Sequence, residues 1–481
     1  MRGLNLTGSL LITLLASGLN AQVIDLDLET AVTLALENNV QMKNALEERE
    51  KAHLQRKEAL ATAMPVVSGF MQGSRNLSIA GQPVEFPIPY GVLDAAGNPV
   101  NLLDDSGNPV PFITPDGTVV PGLFLQQTGI QLVPFEFAFG NDNMAVYGLS
   151  LTQPIFEGRV IAGIRGANVY DDLAEASLEV TRLTVIEQTE IAFYQALMAQ
   201  KLLQVMTNSL EVARNNLRDA RALYQQGRAA EFDVIRAEVA VANGETGLSN
   251  GRKMERIAKA GLKRACGMTL DRQINLAGDL VSLMPDHPSL EELEQKLLAH
   301  QPLLHQLDAS KRLMKENILM ARAELMPQIA LTGSYSQQKP FNDSEWDDRD
   351  FNESSSISLG INVPIFKGGG AMARVKKAKA DHRKAQYQEM DLRENLLLEL
   401  SNLYLSLNEA ASRIEAGLKG VELARKGVEM AEKLYTEGMS TQVQVLDAQN
   451  ARDQAELGLY QAYFEYYAAR ASLTRAVGGS L

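Results

Sequence analysis

The feature that most constrains this chain is a stretch of sequence that occurs twice, 211 positions apart. The matching residues include Tyr224/Tyr435, Gly227/Gly438, Val234/Val445, Ala237/Ala448, Arg264/Arg475, Ala265/Ala476 and Gly267/Gly478. Self-similarity at a fixed offset is typical of duplicated structures. We therefore expect a first repeat at 22–267, a linker at 268–288 that contains a short strand, and a second repeat at 289–481.

Each repeat is predicted to contain a helical hairpin. Its incoming helix carries apolar or small residues at alternating spacings of three and four, which is the coiled-coil pattern. These residues are Leu203, Met206, Leu210, Ala213, Leu217, Ala220 and Tyr224 in the first repeat and Ile414, Gly417, Val421, Ala424, Val428, Ala431 and Tyr435 in the second. Gly227 and Gly438 can adopt the left-handed conformation that ends a helix, so we expect the hairpin tips near 225–233 and 436–447. A hairpin inside an ordinary helical bundle would produce the same pattern.

The remaining helices can also be assigned. The incoming helices should be about 65 residues long, which corresponds to about 100 Å, and should return through helices of about 40 residues. Single helices are also predicted at 27–63 and 289–325. Each ends before a proline, Pro65 or Pro327, which stops a helix and favours an extended segment after it.

The N-terminus and the charge limit the location and the partners. Residues 1–21 combine Arg2, a short apolar run and small residues, as a secretory signal peptide does. No later apolar stretch reaches the roughly 18 residues of a membrane-spanning helix. A net charge of −13 argues against a nucleic-acid partner. The one cysteine, Cys266, excludes an intramolecular disulfide and is expected to be inert packing.

Two segments of each repeat alternate apolar residues with small or polar ones. The clearest is 356–366, where Ile357, Leu359 and Ile361 occupy one face. Such strands are typical of outer membrane barrels, although a half-buried strand of a soluble sheet alternates in the same way. Four strands behind a signal peptide favour the barrel. Because four strands cannot close a barrel, copies of the chain would have to share one, and three copies would give twelve strands, which is wide enough for a lumen.

The strands are joined to other elements by predicted corners and loops. Strand-to-helix corners are expected at Pro154, Gly158, Pro364 and Gly368. The strands of the first repeat are separated by a long loop at 73–143, which contains three turn signals and should carry small hairpins. The corresponding loop of the second repeat, 342–353, is short and acidic. We expect the long loop to be extracellular.

The sequence lacks the residue constellations of an enzyme. The glycine run that begins at Gly368 is not followed by the Lys-Ser/Thr of a phosphate-binding loop. His300 and His305 are five positions apart and do not share a helical face as zinc ligands would. No serine or cysteine has a recognisable nucleophile setting. We therefore predict no catalytic residues, no metal site and no cofactor.

With these features together, the chain resembles the TolC-like outer membrane efflux proteins over about residues 25–481. The resemblance implies an α+β fold of mostly long helices. It also implies a homotrimer whose twelve-stranded β-barrel, with four strands per chain, continues from outer membrane lipid into a periplasmic α-helical coiled-coil tunnel. Such a protein would be the passive exit duct of a tripartite efflux pump or type I secretion system in a Gram-negative bacterium. A periplasmic adaptor and an inner membrane transporter would be its partners, and the alternative is a periplasmic coiled-coil scaffold that never spans a membrane.

The resemblance also suggests residues of a periplasmic gate, where acidic rings and polar links between helices close the tunnel. Tyr435, Gly438 and Asp447 match the tip of the second repeat, and Asp233 matches the acid of the first. The chain departs from the family at Gln444, where an acid is frequent, and at Ser440, where some members have an arginine. An exposed helix residue is the alternative interpretation of Asp447.

Overall fold

The computed structural model describes residues 24–78, 81–90, 106, 112–113, 119–120, 129–138, 141–281, 288–342 and 351–480. The predicted signal peptide and Trp346 lie outside these residues. The chain divides into two compact units. The helical unit contains the described residues up to 62 together with 158–326 and 363–480, and the strand unit contains those of 63–157 and 327–362.

Eight helices make up most of the described part of the helical unit. They are α1 (Leu28–Asn38), α2 (Val40–Ala61), α3 (Gly158–Gln225), α4 (Glu231–Ala265), α5 (Leu290–His300), α6 (Pro302–Ala323), α7 (Gly370–Thr436) and α8 (Gln442–Ala476). The predicted long helices are confirmed, since α3 has 68 residues and α7 has 67. The return helices α4 and α8 have 35 residues each, somewhat fewer than expected.

Small residues let the helices of each hairpin approach closely, as the composition of the seam indicates. A Cβ on Gly244 of α4 would lie 3.1 Å from Leu210 Cδ1 of α3. In the second hairpin the glycine is on the incoming helix, and a Cβ on Gly417 would lie 3.1 Å from Leu459 Cδ1. Larger side chains at either glycine would have to displace the facing leucine.

The prediction of single helices at 27–63 and 289–325 is wrong, because each segment forms two helices. The backbone is extended at Asn39 between α1 and α2 and at Gln301 between α5 and α6. Each of these side chains caps the next helix, Asn39 Oδ1 accepting from Gln41 N and Gln301 Oε1 from Leu303 N. At the second break Pro302 also lacks the N–H that a continuous helix would need.

The core of the helical unit lies around the ends of the shorter helices. It contains apolar side chains from α3, α7 and α8, with Leu400, Leu407 and Tyr466 almost fully buried. Two short parallel strands border it, β1 (Ile24–Leu26) and the predicted linker strand β8 (Ile274–Leu276). This pairing joins the start of the first repeat to the linker between the repeats.

The strand unit contains one four-stranded antiparallel sheet and two smaller ladders in its described residues. The four strands are β2 (Val66–Arg75), β7 (Asn143–Glu157), β9 (Gln328–Phe341) and β10 (Asn352–Asn362), in the order β10-β9-β7-β2. Within the predicted loop 73–143, β3 (Gly81–Tyr90) pairs with β6 (Gly129–Ala138), and β4 (Phe112–Ile113) pairs with β5 (Val119–Val120). Most of the second loop, 343–350, lies outside the described residues.

The strand predicted at 356–366 ends earlier than expected. β10 stops at Asn362, which pairs with Gln328, the first residue of β9. Residues 363–366 therefore have no partner from β9, and Pro364 cannot donate a ladder hydrogen bond. Among the helices that the structure describes, none combines the length and the hydropathy that a membrane span requires.

Candidate functional site

The two hairpin tips of the helical unit have the same backbone. Gly227 and Gly438 have φ values of 71° and 76°, which side chains other than glycine rarely adopt. In the first tip Gly227 N donates to Tyr224 O over 2.8 Å and Arg228 N to Leu223 O over 2.9 Å. The second tip repeats both bonds with Tyr435 and Leu434 as acceptors. The tips are therefore matched helix-ending turns.

Asp233 and Gln444 occupy equivalent positions, 211 residues apart, in the first turns of α4 and α8. Asp233 Oδ2 accepts from Ala230 N at 3.3 Å. Gln444 Oε1 accepts from Thr441 N at 3.1 Å and from Ser440 Oγ at 2.7 Å. Each side chain caps the start of its return helix. The amide oxygen of Gln444 accepts the same backbone hydrogen bond in the second repeat that the carboxylate of Asp233 accepts in the first.

Tyr435 and Asp233 are brought together at the tips, although they come from different repeats. Partial burial of Tyr435, and then the nearby carboxylates of Asp233 and Asp219, raise the pKa of its hydroxyl. Gln444 is exposed. Asp447 is also exposed and makes no ion pair within the described residues. Three predicted gate residues thus surround the turns, and Asp447 lies one helical turn further along α8.

The residues of one polar link between helices were not predicted. Asn216 Nδ2 of α3 donates to Gln449 Oε1 of α8 over 2.9 Å, and Gln449 Nε2 donates to Glu432 Oε1 of α7 over 3.0 Å. Gln449 is only 6% exposed. This chain of bonds joins the first hairpin to the second near the tips.

The sequence contained a signal for this link. The less exposed face of α8 follows spacings of three and four through Gln442, Val445, Gln449, Arg452, Glu456 and Leu459. Polar residues at such seam positions specify particular partners, because a buried polar group needs a hydrogen bond. Gln442 is 7% exposed, and its Oε1 is buried without a hydrogen-bond partner among the described residues.

A groove of about 460 Å³ separates the two hairpins next to this link. Its lining includes Arg236 of α4 and Gln449 and Asp453 of α8. The repeats differ here, because Arg236 occupies the position equivalent to Asp447. The guanidinium of Arg236 lies 4.7 Å from the centre of the Phe232 ring.

The four predicted corner residues occupy different environments. Pro154 lies inside β7, where the register with β9 shifts between Pro154 and Phe156, so a β-bulge accommodates it. Pro364 lies outside any strand, and Gly368 has a positive φ of 59°. Gly158 is the first residue of α3, and a Cβ there would come within 2.9 Å of Ala323 Cβ. Close helix packing therefore requires glycine at 158.

The outer strands of the sheet present apolar side chains to the surroundings of the chain. Ile357, Leu359 and Ile361 of β10 are 83%, 63% and 63% exposed, and Met71 of β2 is 85% exposed. Each of these two strands pairs with only one neighbour in the described part of the chain. A sheet with two open edges and exposed apolar residues needs a further partner or an apolar environment.

The sequence model of the outer membrane efflux protein family matches residues 131–268 and 293–479, one segment in each repeat and more than half of the chain in total. The chain belongs to the outer membrane efflux protein family. Membership in this family confirms the predicted resemblance and the predicted location in the outer membrane of Gram-negative bacteria.

Individual relatives of this outer membrane efflux protein are distant in sequence. It is 23% identical over 171 residues to the alkaline protease secretion protein AprF of Pseudomonas aeruginosa, covering 36% of this chain and 34% of AprF. It is 25% identical over 203 residues to the outer membrane protein TolC of Escherichia coli, covering 40% of each chain. The matched region therefore spans well under two thirds of these curated relatives.

The fold likeness extends over much more of the chain. The outer membrane channel CmeC of Campylobacter jejuni superimposes with a TM-score of 0.72 over 94% of this chain and 86% of CmeC, at 17% identity. This agreement confirms the predicted fold class of long helices with four barrel-type strands per chain.

Proposed function

We propose that this outer membrane efflux protein is a homotrimeric channel that acts as the passive exit duct of a tripartite efflux pump or type I secretion system. The observation that carries the proposal is the four-stranded sheet with open edges at β2 and β10. In a membrane those edges must be paired, and three copies would form a closed barrel of about twelve strands. The periplasmic coiled-coil scaffold has no need for such strands.

The duplication supports a definite pairing between protomers. Within one chain, β7 of the first repeat pairs with β9 of the second, and Leu151 faces Gly333. Repeat-equivalent positions follow from the matched prolines, Pro154 with Pro364 and Pro65 with Pro327. The first pair of prolines is 210 positions apart, so Leu151 corresponds to Ile361 of β10. The second pair is 262 positions apart, so Gly333 corresponds to Met71 of β2. Ile361 should therefore face Met71 of the next copy.

Disulfide trapping tests this arrangement. Facing residues of antiparallel strands have Cα atoms about 4.5–5.5 Å apart, which suits a disulfide. In a Cys266→Ala background, Ile361→Cys with Met71→Cys should give covalently linked dimers and trimers in outer membranes. The control pairs Ile361→Cys with Phe70→Cys, because a shift of one residue turns the side chain to the other face of the sheet.

A strong crosslink at position 71 and little at position 70 would support the shared barrel. Equal crosslinking of both pairs would contradict the register. If the protein is not crosslinked and fractionates with the soluble periplasmic proteins, the interpretation as a channel is wrong and the interpretation as a scaffold takes its place.

In the proposed duct, the hairpin tips would form the gate and receive the periplasmic adaptor. Asp233 lies close enough to Tyr435 to raise the pKa of its hydroxyl, Gln444 caps the second return helix, and Asp447 adds an exposed carboxylate. Symmetry-related carboxylates at a constriction repel one another and attract cations. The inner membrane transporter would supply the energy and select the substrate, since the described residues contain no recognisable site for either task.

A further inference from the structure

A cavity of about 600 Å³ lies in the helical unit between α3, α6 and α7, away from the hairpin tips. Five cationic side chains and two carboxylates line it. Three of the cations are already paired, Arg165 with Glu316, Lys311 with Glu389 and Arg312 with Asp172, at N–O distances of 2.8–3.0 Å. The cavity therefore has more positive charge than its own carboxylates neutralise.

The other two cations are Lys315 and Arg322. Both are exposed on α6, and neither side chain makes an ion pair or a hydrogen bond within the described residues. They are seven positions apart, so they lie on the same side of the helix, and long side chains can converge on one group from there. Together they give the cavity two cations without a carboxylate partner among the described residues.

The cavity also contains buried polar atoms without partners. Glu316 has a side chain that is 11% exposed, and its Oε1 accepts from Arg165 over 2.9 Å. Its Oε2 is buried and accepts no hydrogen bond from the described residues. Nδ1 of His382 on α7 is also buried and has no hydrogen-bond partner among the described residues. A buried carboxylate oxygen without a donor is costly, so it favours a ligand that brings an N–H group.

The matching positions of the first repeat show that the fold does not require this arrangement. α2 and α6 correspond at an offset of 262 positions over their whole length. At this offset Leu54 replaces Glu316, and Leu60 replaces Arg322. A helix of the same length in the duplicated unit thus forms without the carboxylate and without the arginine.

We propose that this cavity binds a phosphoethanolamine group. Lys315 and Arg322 donate charge-assisted hydrogen bonds to the phosphate, which is the anion that these side chains recognise best. The ammonium group donates to Glu316 Oε2 and so satisfies the buried acceptor. His382 donates to the phosphate in the tautomer that carries a proton on Nδ1.

The zwitterion fits better than simple anions. Inorganic phosphate has no cationic group to offer Glu316 Oε2 and would place a negative charge beside it. Phosphatidylcholine carries a cation without N–H groups, and phosphatidylglycerol carries no cation. Ile318 and Leu319 also line the cavity, so apolar atoms of a phospholipid would find contacts beside the head group.

Two sources share this chemistry, a phospholipid head group and soluble glycerophosphoethanolamine. The acyl chains of a lipid would add apolar contacts that the soluble compound lacks.

Calorimetric titration of the full-length protein in maltoside detergent tests the site. The probes are dihexanoyl phosphatidylethanolamine, the matching phosphatidylcholine and phosphatidylglycerol, glycerophosphoethanolamine and inorganic phosphate. We expect the ethanolamine lipid to bind at least tenfold more tightly than the choline lipid, the glycerol lipid or phosphate. If glycerophosphoethanolamine binds as tightly as the lipid, the source is the soluble compound, and weaker binding identifies the lipid.

Variants separate the two halves of the site. K315Q/R322Q should weaken binding of the ethanolamine lipid at least tenfold, and K419Q/K433Q, which removes the same charge from exposed positions elsewhere, should not. E316Q should abolish the preference for the ethanolamine lipid over the glycerol lipid. Equal binding of ethanolamine and choline lipids by the unaltered protein would overturn the proposal, as would unchanged binding by K315Q/R322Q. Because Lys315 and Arg322 are exposed and unpaired, that double variant should fold normally.

Discussion

The side-chain amide of Gln301 donates to the main-chain carbonyl oxygen of Ala476 over 2.8 Å. In the first repeat the amide of Asn39 makes the same bond to the carbonyl of Ala265, also over 2.8 Å. Each bond joins a break between two short helices to the end of a return helix. Next to each bond a glycine leaves no room for a side chain. A Cβ on Gly478 would lie 2.5 Å from His300 O, and one on Gly267 would lie 2.4 Å from Asn38 O.

Gln301→Leu should destabilise the protein by about 1–3 kcal/mol, because it leaves a nearly buried helix-end carbonyl without its donor. Gln301 is only 4% exposed, so water cannot easily replace the amide. Denaturant unfolding, followed by circular dichroism in detergent, measures the change. Gln388→Leu, at an exposed position of α7, is the matched control and should leave the midpoint almost unaltered. Equal effects of both substitutions would mean that the Gln301 bond contributes nothing specific.

Gly438→Val should distort the second tip and reduce crosslinking to the adaptor. No atom lies within 4 Å of a Cβ built there, so the cost comes from the positive φ and not from a clash. Gly438→Asn is the control, because asparagine tolerates the left-handed conformation. Site-specific photocrosslinking from the tip should therefore fail for valine and persist for asparagine. Normal crosslinking of the valine variant would rule out a role for this backbone.

Asp447→Asn should reduce the cation preference of the channel in planar bilayers, because one carboxylate per protomer is removed from the proposed gate. The measurement is the reversal potential in a salt gradient, which should move toward zero. Glu415→Gln serves as the control, because it removes an exposed carboxylate from α7 at a position away from the second tip. An unmoved reversal potential in Asp447→Asn would favour the interpretation of Asp447 as an ordinary exposed helix residue.

Gln449→Ala should loosen the contact between the hairpins, because both hydrogen bonds of the link to Asn216 and Glu432 are lost. The two partners lose roughly 1–3 kcal/mol of interaction in a largely buried site. We expect more frequent or larger conductance openings in single-channel records. Asn450→Ala changes the exposed neighbour and should behave as the unaltered protein does. Indistinguishable records for the two variants would show that the link does not hold the tips together.

Cys266 should resist alkylation in the folded protein. Its side chain is fully buried, and burial raises the pKa of the thiol from 9.0 to about 11. Since the raised pKa favours the neutral form, this group lowers the stability of the folded state as the pH rises from about 9 to about 11. Iodoacetamide at pH 8, followed by mass spectrometry, should label the unfolded chain and spare the folded one. Rapid labelling of folded protein would contradict the burial.

The sequence by itself was sufficient to predict the duplication, the long helices, their turns at Gly227 and Gly438, and the strands. These features depend on periodicity and on local backbone preferences, which a single stretch of chain records. The helix break at Gln301 was also within reach, because Pro302 is a frequent first residue of a helix. The break at Asn39 carried a weaker signal, an asparagine, which is a residue that often caps the helix after it.

Only the tertiary structure decided the contacts between residues far apart in the chain. Asn39 meets Ala265, β1 pairs with β8, and Tyr435 lies close to Asp233 because the two repeats pack against each other. Likewise, β10 ends where β9 no longer provides a partner. Hydrogen bonds and charges act through space, so a sequence records the groups that can make them, and the packing of the fold determines which groups meet.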